Sequence, residues 1–576
     1  MAHERATRTR RVWLPAAGFL LFAAVVLARL VQVQVLEHDR YAARARNELL
    51  DSNELYARRG AILDRNGHVL STSVETWDIY VMARTWKDDR HALSAAAALG
   101  EAIGEDPQTL IDRVRAGEAV DVLVARDVPY EVGRKLIDGG VHGIIALPNA
   151  ARFYPEGDVA ASILGVLGQD NVGLAGIEAA YNDLLQGRPG RVVYERDTTG
   201  DPIPLGQFVT REPEPGHDLV LTIDRYLQRL AEETLTQAVK EHKAKGGTII
   251  VMDPATGEIL AMASMPALQY SALDYSDPGV TDLMRNRAVS DLYEPGSVMK
   301  VVTAAAAIDA GVVTPDTTYV DNGTAWVYDV PIRNWDFNVY GEQTMTGVLQ
   351  HSINTGAVFM AERLGKNAFH AYLEAFGFGR PTGIDLLGEA MGIIRTPDDP
   401  DWSPVDLATQ SFGQSMAVTP IQMVTAIAAA INGGQLLRPH IVKAIVAPDG
   451  ARQDVKPEVL GTPISAATSA TIRDMLGQVV FPGGWHPAQP QRYSAGGKSG
   501  TANVPIPNGY DDTQVASFVG FAPLHDPEIL VYVKLDENAD LLTGTVAAGP
   551  IFASLVDRVL AYLNVPPDGD RYVERP

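Results

Sequence analysis

Apolar positions change their spacing several times along the chain, and each change marks a different kind of element. An uncharged run covers Val12 to Ala28, is interrupted by Arg29, and resumes from Leu30 to Leu36 with Val31, Val33 and Val35 between glutamines. A run of that length makes about 25 Å of helix, near the lower limit for crossing a bilayer, and an arginine at its end extends the reach by snorkelling. From residue 36 to about 60, apolar positions recur at helical spacing among Arg, Glu and Asn, predicting a helix that leaves this span. Arg59 to Gly67 then reads as strand and turn with a second strand following, because Asn66-Gly67 tolerates positive φ at both positions. Short helical stretches and turns fill Asp88 to Gly140, one of them starting with Asp106 as N-cap and Pro107 as first helical residue. Gly173 to Glu178 reads as a tight turn before a helix over 177–184.

After the charged, proline-containing stretch Arg211 to Gly216 the spacing settles. A strand is predicted from Leu219 to Ile223, then a helix from Arg225 to about Lys243 with Leu227, Leu230, Ala231, Leu235 and Ala238 along one face. Two apolar strands, Gly247 to Met252 and Glu258 to Ala263, flank a Pro/Gly turn. Helical patterns run from Ser297 to near Gly311, Thr344 to Leu364, Pro420 to Ile431 and Ala470 to Val480. The far end predicts strands at Tyr493–Ala502, Val515–Phe521 and Ile529–Leu535, a polar turn from Pro505 to Asp512, and a closing helix from Val546 to Leu563. Strands and helices arranged this way predict an α+β domain, an antiparallel sheet flanked by helices.

Composition narrows the possibilities. The chain has 576 residues, 46% apolar and 21% charged, which fits two to four folded domains. A net charge of −23, spread along the sequence, argues against a nucleic-acid binder and reads as solubility. Arg5, Arg8, Arg10 and Arg11 precede the apolar run and put the N-terminus in the cytoplasm and the rest outside. No small-residue cleavage site follows the run, which favours an uncleaved anchor over a signal peptide. The absence of cysteine is compatible with an extracytoplasmic chain. No histidine pair has metal-ligand spacing, and no cofactor is expected.

The chemistry gathers at three places. Ser297 and Lys300 lie three residues apart, so a helix puts amine and hydroxyl on one face, and a desolvated lysine there can take the serine proton. Ser352-Ile353-Asn354 follows 55 positions later, and Lys498-Ser499-Gly500-Thr501 follows 201 positions after Ser297. Each motif alone is ordinary helix, cap or turn chemistry. In this order they resemble the signature of the penicillin-binding proteins and serine β-lactamases. Phe412-Gly413-Gln414, Val418-Thr419-Pro420 and Gln514 to Pro523 extend the resemblance. So do Arg59 to Gly67, Arg152 to Pro155 and Gly173 to Glu178. Together they make the chain similar, almost end to end, to class B, monofunctional penicillin-binding proteins, and most to the septal D,D-transpeptidase. Ile353 stands where the family often has serine, and Ser499 where it often has threonine.

The resemblance implies a penicillin-binding transpeptidase domain on an elongated α/β pedestal with one N-terminal transmembrane helix. It implies that Ser297 is the nucleophile, Lys300 its general base, Ser352 a proton relay, and Asn354 a group that holds the substrate amide and the lysine. Lys498 would stay charged, and the Ser499 and Thr501 hydroxyls would hold the substrate carboxylate. The backbone N–H groups of Ser297 and Thr501 would bind the oxyanion, with Gly500, Gly496 and Gly497 clearing a path for the substrate. His351, beside Ser352, is expected to be structural.

The implied domains are a cytoplasmic segment 1–11, an anchor 12–35, a pedestal (dimerisation-type) domain 36–215, a transpeptidase domain 216–565 and a polar tail 566–576. The implied reaction is peptidoglycan cross-linking through a serine acyl-enzyme with release of D-alanine, at the division septum, and β-lactams should bind. Implied partners are stem peptides ending in D-Ala-D-Ala and a membrane glycosyltransferase of the shape, elongation, division and sporulation family, with other division proteins. The alternatives are an elongation-class transpeptidase, a β-lactamase or carboxypeptidase, and a non-catalytic penicillin-binding scaffold or sensor. Glu294-Pro295-Gly296 before Ser297 favours the division type. The retained Ser297, Lys300 and Lys498 disfavour a dead scaffold.

Overall fold

The computed structural model describes residues 2–41, 50–87, 89–117, 121–168, 170–196, 202–506, 509–538 and 541–568. The N-terminal helix runs Ala2–Val31 and tightens into a π-helical turn, Gln32–Leu36. Within it Pro15–Leu36 has a mean hydropathy of 2.2 and buries none of its surface in the protein, so it is long and apolar enough to cross a membrane. The helix expected from 36 to 60 does not form throughout. Residues 42–49 lie outside the described residues, and Leu50–Leu55 is a strand paired antiparallel with Gly190–Arg196. A distant strand supplies backbone partners there, and that overrides local helical spacing.

Contacts divide the chain into two units that interleave in sequence rather than meeting at one boundary. The first comprises Met1–Arg58, Thr76–Asn149 and Gly187–Pro215. It contains the ladder Leu50–Leu55, Gly190–Arg196 and Pro202–Arg211. It also contains the helices Asp89–Ile103, Pro107–Ala116 and Tyr130–Asp138 around a core of Ile79, Val81, Trp86, Leu99, Leu110 and Leu136. Asp106 caps its helix as predicted, accepting from the Thr109 N–H at 2.9 Å with Pro107 behind it. The strand Asp121–Pro129 was not legible, because its buried positions are too few to show alternation.

The second unit comprises Arg59–Glu75, Ala150–Gln186 and Gly216–Pro576. Its centre is a five-stranded antiparallel sheet in the order Ile259–Met265, Gly246–Met252, Ile529–Asn538, Gly509–Ala522, Gly496–Ile506. Strand alternation sends Ile249, Val251, Val531 and Val533 to one face, where they meet Leu227, Leu235, Phe552 and Val556 of the helices Arg225–Glu241 and Gly549–Tyr562. Ile250, Met252, Leu530 and Tyr532 go to the other face and its helical layer. That layer includes Met299–Asp309, Asn354–Leu364, Pro420–Ile431 and Ala466–Val480. Both faces are covered, which is why these strands read as continuous apolar runs. The C-terminal helical segment Gly544–Tyr562 is also long and apolar enough to cross a membrane, yet it packs on the sheet as core.

Residues 59–75 and 150–186 belong to this unit for identifiable reasons. Ile62 and Leu63 pair in parallel with Leu219 and Val220. Arg59 Nε lies 2.7 Å from Glu178 Oε2, and Arg152 Nε lies 2.6 Å from Glu178 Oε1, with all three side chains buried. The turn at Asn66-Gly67 has positive φ only at Gly67, not at both residues. The Asp64 carboxylate closes it instead, accepting from the N–H groups of Asn66 and His68 at 2.8 and 2.9 Å.

Candidate active site

Ser297 does not sit inside the helix it opens. Gly296–Val298 forms a single 3-10 turn, and the α-helix starts at Met299. The first backbone N–H groups of such a turn have no acceptor within it, so Ser297 N–H is available to a ligand. Gly296 has a φ of +55°, and a Cβ there would stand 2.8 Å from the Thr501 carbonyl oxygen. Its N–H donates to the Gly413 carbonyl at 3.0 Å, and a Cβ on Gly413 would collide with Gly296. The Phe412-Gly413-Gln414 segment is therefore the seat of the Ser297 turn.

Lys300 brings the motifs together. Its Nζ is 3.1 Å from Ser297 Oγ, 3.2 Å from Ser352 Oγ, 2.6 Å from Ser352 O and 2.7 Å from Asn354 Oδ1. The predicted helix from Thr344 to Leu364 is broken at this point into Met345–Gln350 and Asn354–Leu364. At the break Ser352 has a φ of +54°, which turns both its carbonyl and its hydroxyl to the lysine. Lys498 Nζ donates to Ser352 Oγ at 3.0 Å and to its neighbour's carbonyl, Ser499 O, at 3.1 Å.

Two acceptors that carry no hydrogen, Ser352 O and Asn354 Oδ1, use both hydrogens of a neutral amine. The lone pair is then left for a hydroxyl proton, and Ser297 stands at 3.1 Å. Lys300 is 0% exposed; burial, and next the charge of Lys498, hold its pKa well below the ordinary lysine value. Burial also pulls Lys498, 1% exposed, down to about 7. Neither of its hydrogen-bond partners, Ser352 Oγ and Ser499 O, is a carboxylate that would offset this burial.

Asn354 is anchored from behind by residues that no motif indicated. Its Nδ2 donates to Arg333 O at 2.9 Å, and its N–H donates to Asn334 Oδ1 at 3.1 Å. Asn334 Nδ2 in turn donates to Asp321 Oδ2 at 2.9 Å, and Thr355 Oγ1 to Asp321 Oδ1 at 2.6 Å. Asp321, Asn334 and Thr355 are buried. Single polar residues scattered between short strands leave no periodic signal, so sequence reasoning had no means of finding them.

Gly496–Ile506 is the edge strand of the sheet and lies beside the Ser297 turn. A Cβ at Gly500 would meet Ser517 Oγ at 2.5 Å, Pro295 O at 2.8 Å and Val298 Cγ2 at 3.0 Å. Gly496 and Gly497 are closed in the same way by the rings of Phe521 and Phe518. These glycines therefore serve close packing of protein on protein, where substrate clearance was expected. Ser499 is half-buried on the face opposite Lys498 and Gly500. The Thr501 hydroxyl on that face accepts from Gly544 N–H at 3.0 Å, which leaves its own hydrogen to donate. His351 is exposed and its ring stacks on Tyr340 at 5.3 Å.

A low-pKa lysine on a serine, a second hydroxyl bridging to another buried lysine, and an edge strand alongside define a serine acyl-transfer enzyme. Known proteins agree. Residues 247–557 match the penicillin binding protein transpeptidase domain, and residues 54–221 match the penicillin-binding protein dimerisation domain. The chain is 33% identical over 568 residues to stage V sporulation protein D of Bacillus subtilis, covering 97% of this chain and 86% of that one. It is 30% identical over 557 residues to the probable peptidoglycan D,D-transpeptidase PenA of Neisseria gonorrhoeae, covering 95% and 92%. The crystal structure of penicillin binding protein 3 of Mycobacterium tuberculosis complexed with aztreonam superposes with a TM-score of 0.69 at 27% identity, covering 91% of this chain and all of that one. The chain belongs to the penicillin-binding protein transpeptidase family, and it is a serine-type transpeptidase on an α+β fold with a dimerisation-type pedestal.

Proposed function

We propose that the protein is a peptidoglycan D,D-transpeptidase acting at the division septum, with Ser297 as the acylated residue. The observation that carries this is the buried Lys300 amine, 3.1 Å from Ser297 Oγ with its hydrogens committed elsewhere. Lys300 takes the Ser297 proton as Oγ bonds to the carbonyl carbon of the penultimate D-alanine of a stem peptide. The oxyanion is held by the N–H groups of Ser297 and Thr501. The C–N bond to the terminal D-alanine then breaks, and the proton passes from Lys300 through Ser352 to the leaving amine. An amine of a second stem peptide attacks the ester, gives its proton to the same relay, and restores Ser297 with a new amide bond.

The Ser499 and Thr501 hydroxyls receive the terminal carboxylate, Lys498 supplies charge from the opposite face of the strand, and Asn354 receives the peptide amide. An arriving carboxylate favours the charged form of Lys498, so the field is switched on by substrate. A β-lactam presents the same carboxylate and a strained amide; the aztreonam complex of the Mycobacterium tuberculosis relative supports that binding here. A single-pass anchor over 12–35, with segment 1–11 on the cytoplasmic side, carries the two interleaved units, and Arg59–Glu75 and Ala150–Gln186 go with the transpeptidase rather than with the pedestal. Polymerisation of glycan falls to a membrane glycosyltransferase of the shape, elongation, division and sporulation family, docked with other division proteins. Similarity to a sporulation protein favours, as a second reading, wall synthesis away from the division septum. A fluorescent fusion decides between them by where it collects.

The chemical test is intact mass of the full chain in detergent after benzylpenicillin, beside Ser297→Ala. A lasting one-drug adduct on the wild type alone supports the assignment. Rapid hydrolysis without an adduct indicates a β-lactamase, and an adduct on the Ser297→Ala variant overturns the assignment of the nucleophile.

A further inference from the structure

Glu294 lies three residues before Ser297, and the mechanism above makes no use of it. It is only 8% exposed. Its Oε1 accepts from the Ser415 N–H at 2.9 Å and from the Tyr510 hydroxyl at 3.3 Å. Its Oε2 is buried with no hydrogen-bond partner among the described residues. Placing a carboxylate where half its capacity is unmet is costly, so a structural role alone is a poor account of it. Ser415 is itself held at a φ of +55° to present its N–H.

The three groups belong to three different walls of the site. Glu294 precedes the nucleophile turn, and Ser415 follows the Gly413 seat. The 293–296 and 413–418 segments are already joined by backbone bonds between Tyr293 and Val418 and from Gly296 to Gly413, each at 3.0 Å. Tyr510 comes from the far end of the hairpin whose first strand carries Lys498 to Thr501. It pairs with Pro505, beyond an irregularity between Asn503 and Pro505 that shifts the register. Tyr510 is 45% exposed, so packing fixes its ring incompletely and the Glu294 contact ties the tip down.

We propose that Glu294 and Tyr510 form a clasp that holds the hairpin tip against the nucleophile turn and thereby sets the distance between the Thr501 edge and Ser297. Glu294 is a positioning residue, acting through the hairpin. The inference rests on the acylation reading given above. Closing the clasp aligns both oxyanion donors, while opening it widens the entry without touching Ser297 or Lys300. Burial raises the Glu294 carboxyl, and burial with Glu294 nearby pushes Tyr510 up to about 12, so the phenol is the donor across the ordinary pH range.

The test uses the full chain in detergent with benzylpenicillin, separating the binding constant from the acylation rate, for Tyr510→Phe, Glu294→Ala, Glu294→Gln and the Tyr510→Phe/Glu294→Ala pair. A lost hydrogen bond to a charged group predicts about tenfold slower acylation in Tyr510→Phe with binding unchanged. Glu294→Ala should do the same, the pair should be no slower than Glu294→Ala alone, and Glu294→Gln, which keeps the acceptor, should restore most of the rate. An unchanged rate in Tyr510→Phe, a surface change that leaves the fold intact, overturns the clasp, as do single effects that multiply in the pair. Hydrogen exchange of the 503–514 amides reads the clasp without any acylation. Faster exchange in Tyr510→Phe and Glu294→Ala supports it even if the wild type forms no adduct, and unchanged exchange overturns it.

Discussion

Replacing Gly500 by alanine separates two accounts of that glycine. If it only clears a path for substrate, the extra methyl group meets nothing until a ligand arrives. The structure gives it three protein neighbours within 3.0 Å, one of them the Pro295 backbone carbonyl at 2.8 Å, which cannot rotate away. Reaching ordinary contact requires the edge strand and the nucleophile turn to separate by roughly half an ångström, and overpacking of this kind costs about 1–3 kcal/mol. The same movement parts the N–H groups of Ser297 and Thr501, and about 1 Å of misplacement can cost 10²-fold, so acylation should fall at least about tenfold. Urea denaturation and benzylpenicillin acylation, measured on the same preparations, read both effects. Adding Ser517→Ala removes the 2.5 Å contact but not the backbone one, so the double variant should recover part of the stability and little of the rate. Wild-type stability in Gly500→Ala, with only weakened ligand binding, would refute the packing account and restore the substrate-clearance one.

The pH profile of the free-enzyme acylation constant should be a bell. Lys300, held well below its ordinary value by burial and next by the charge of Lys498, sets the acid limb, where protonation takes the base away. Lys498 loses its proton as pH rises through about 7, taking away the charge that draws in a carboxylate, and Lys498→Arg should abolish that alkaline limb even as the plateau falls. Ser352→Gly should stabilise the fold by up to about 1 kcal/mol by relieving a left-handed residue, while loss of the relay slows acylation about 10²-fold; thermal melts and adduct kinetics check the opposite signs. Arg59→Ala leaves Glu178 buried with one cation fewer and should cost about 3 kcal/mol in denaturant titrations, with any surviving folded protein acylated normally.

Much of the catalytic unit was readable because its physics is local and periodic. The helix Arg225–Glu241 shows its buried stripe directly, and Pro420–Ile431 begins with a threonine cap and a proline that fix its start. The three motifs were visible as residue types at known order, and the structure brings Ser297, Lys300, Ser352, Asn354 and Lys498 within hydrogen-bonding reach. What stayed hidden is non-local. The break at Ser352 depends on a lysine 52 positions earlier, and the Asp321–Asn334–Thr355 support is three isolated polar residues. The reason for Gly500 lay in the turn behind it, which the sequence places about 200 positions away. Strand Leu50–Leu55 was misread for the same cause, since its partner lies some 140 residues further on.

The parallel pairing of Ile62 and Leu63 with Leu219 and Val220 bears on how the enzyme can be cut into pieces. A fragment starting at residue 216 looks like a whole catalytic domain by sequence order, but its first strand would present a bare flank that the intact chain covers. Asp224, which caps the following helix, would also lose the Asn66 amide that donates to it at 2.9 Å. Unpaired backbone along a strand is an invitation to self-association. The smallest well-behaved catalytic piece is therefore not contiguous. It would have to carry residues 59–75 and 150–186 along with it, joined by a designed linker in place of 76–149, and trimming at the apparent boundary should yield aggregates before it yields a simpler enzyme.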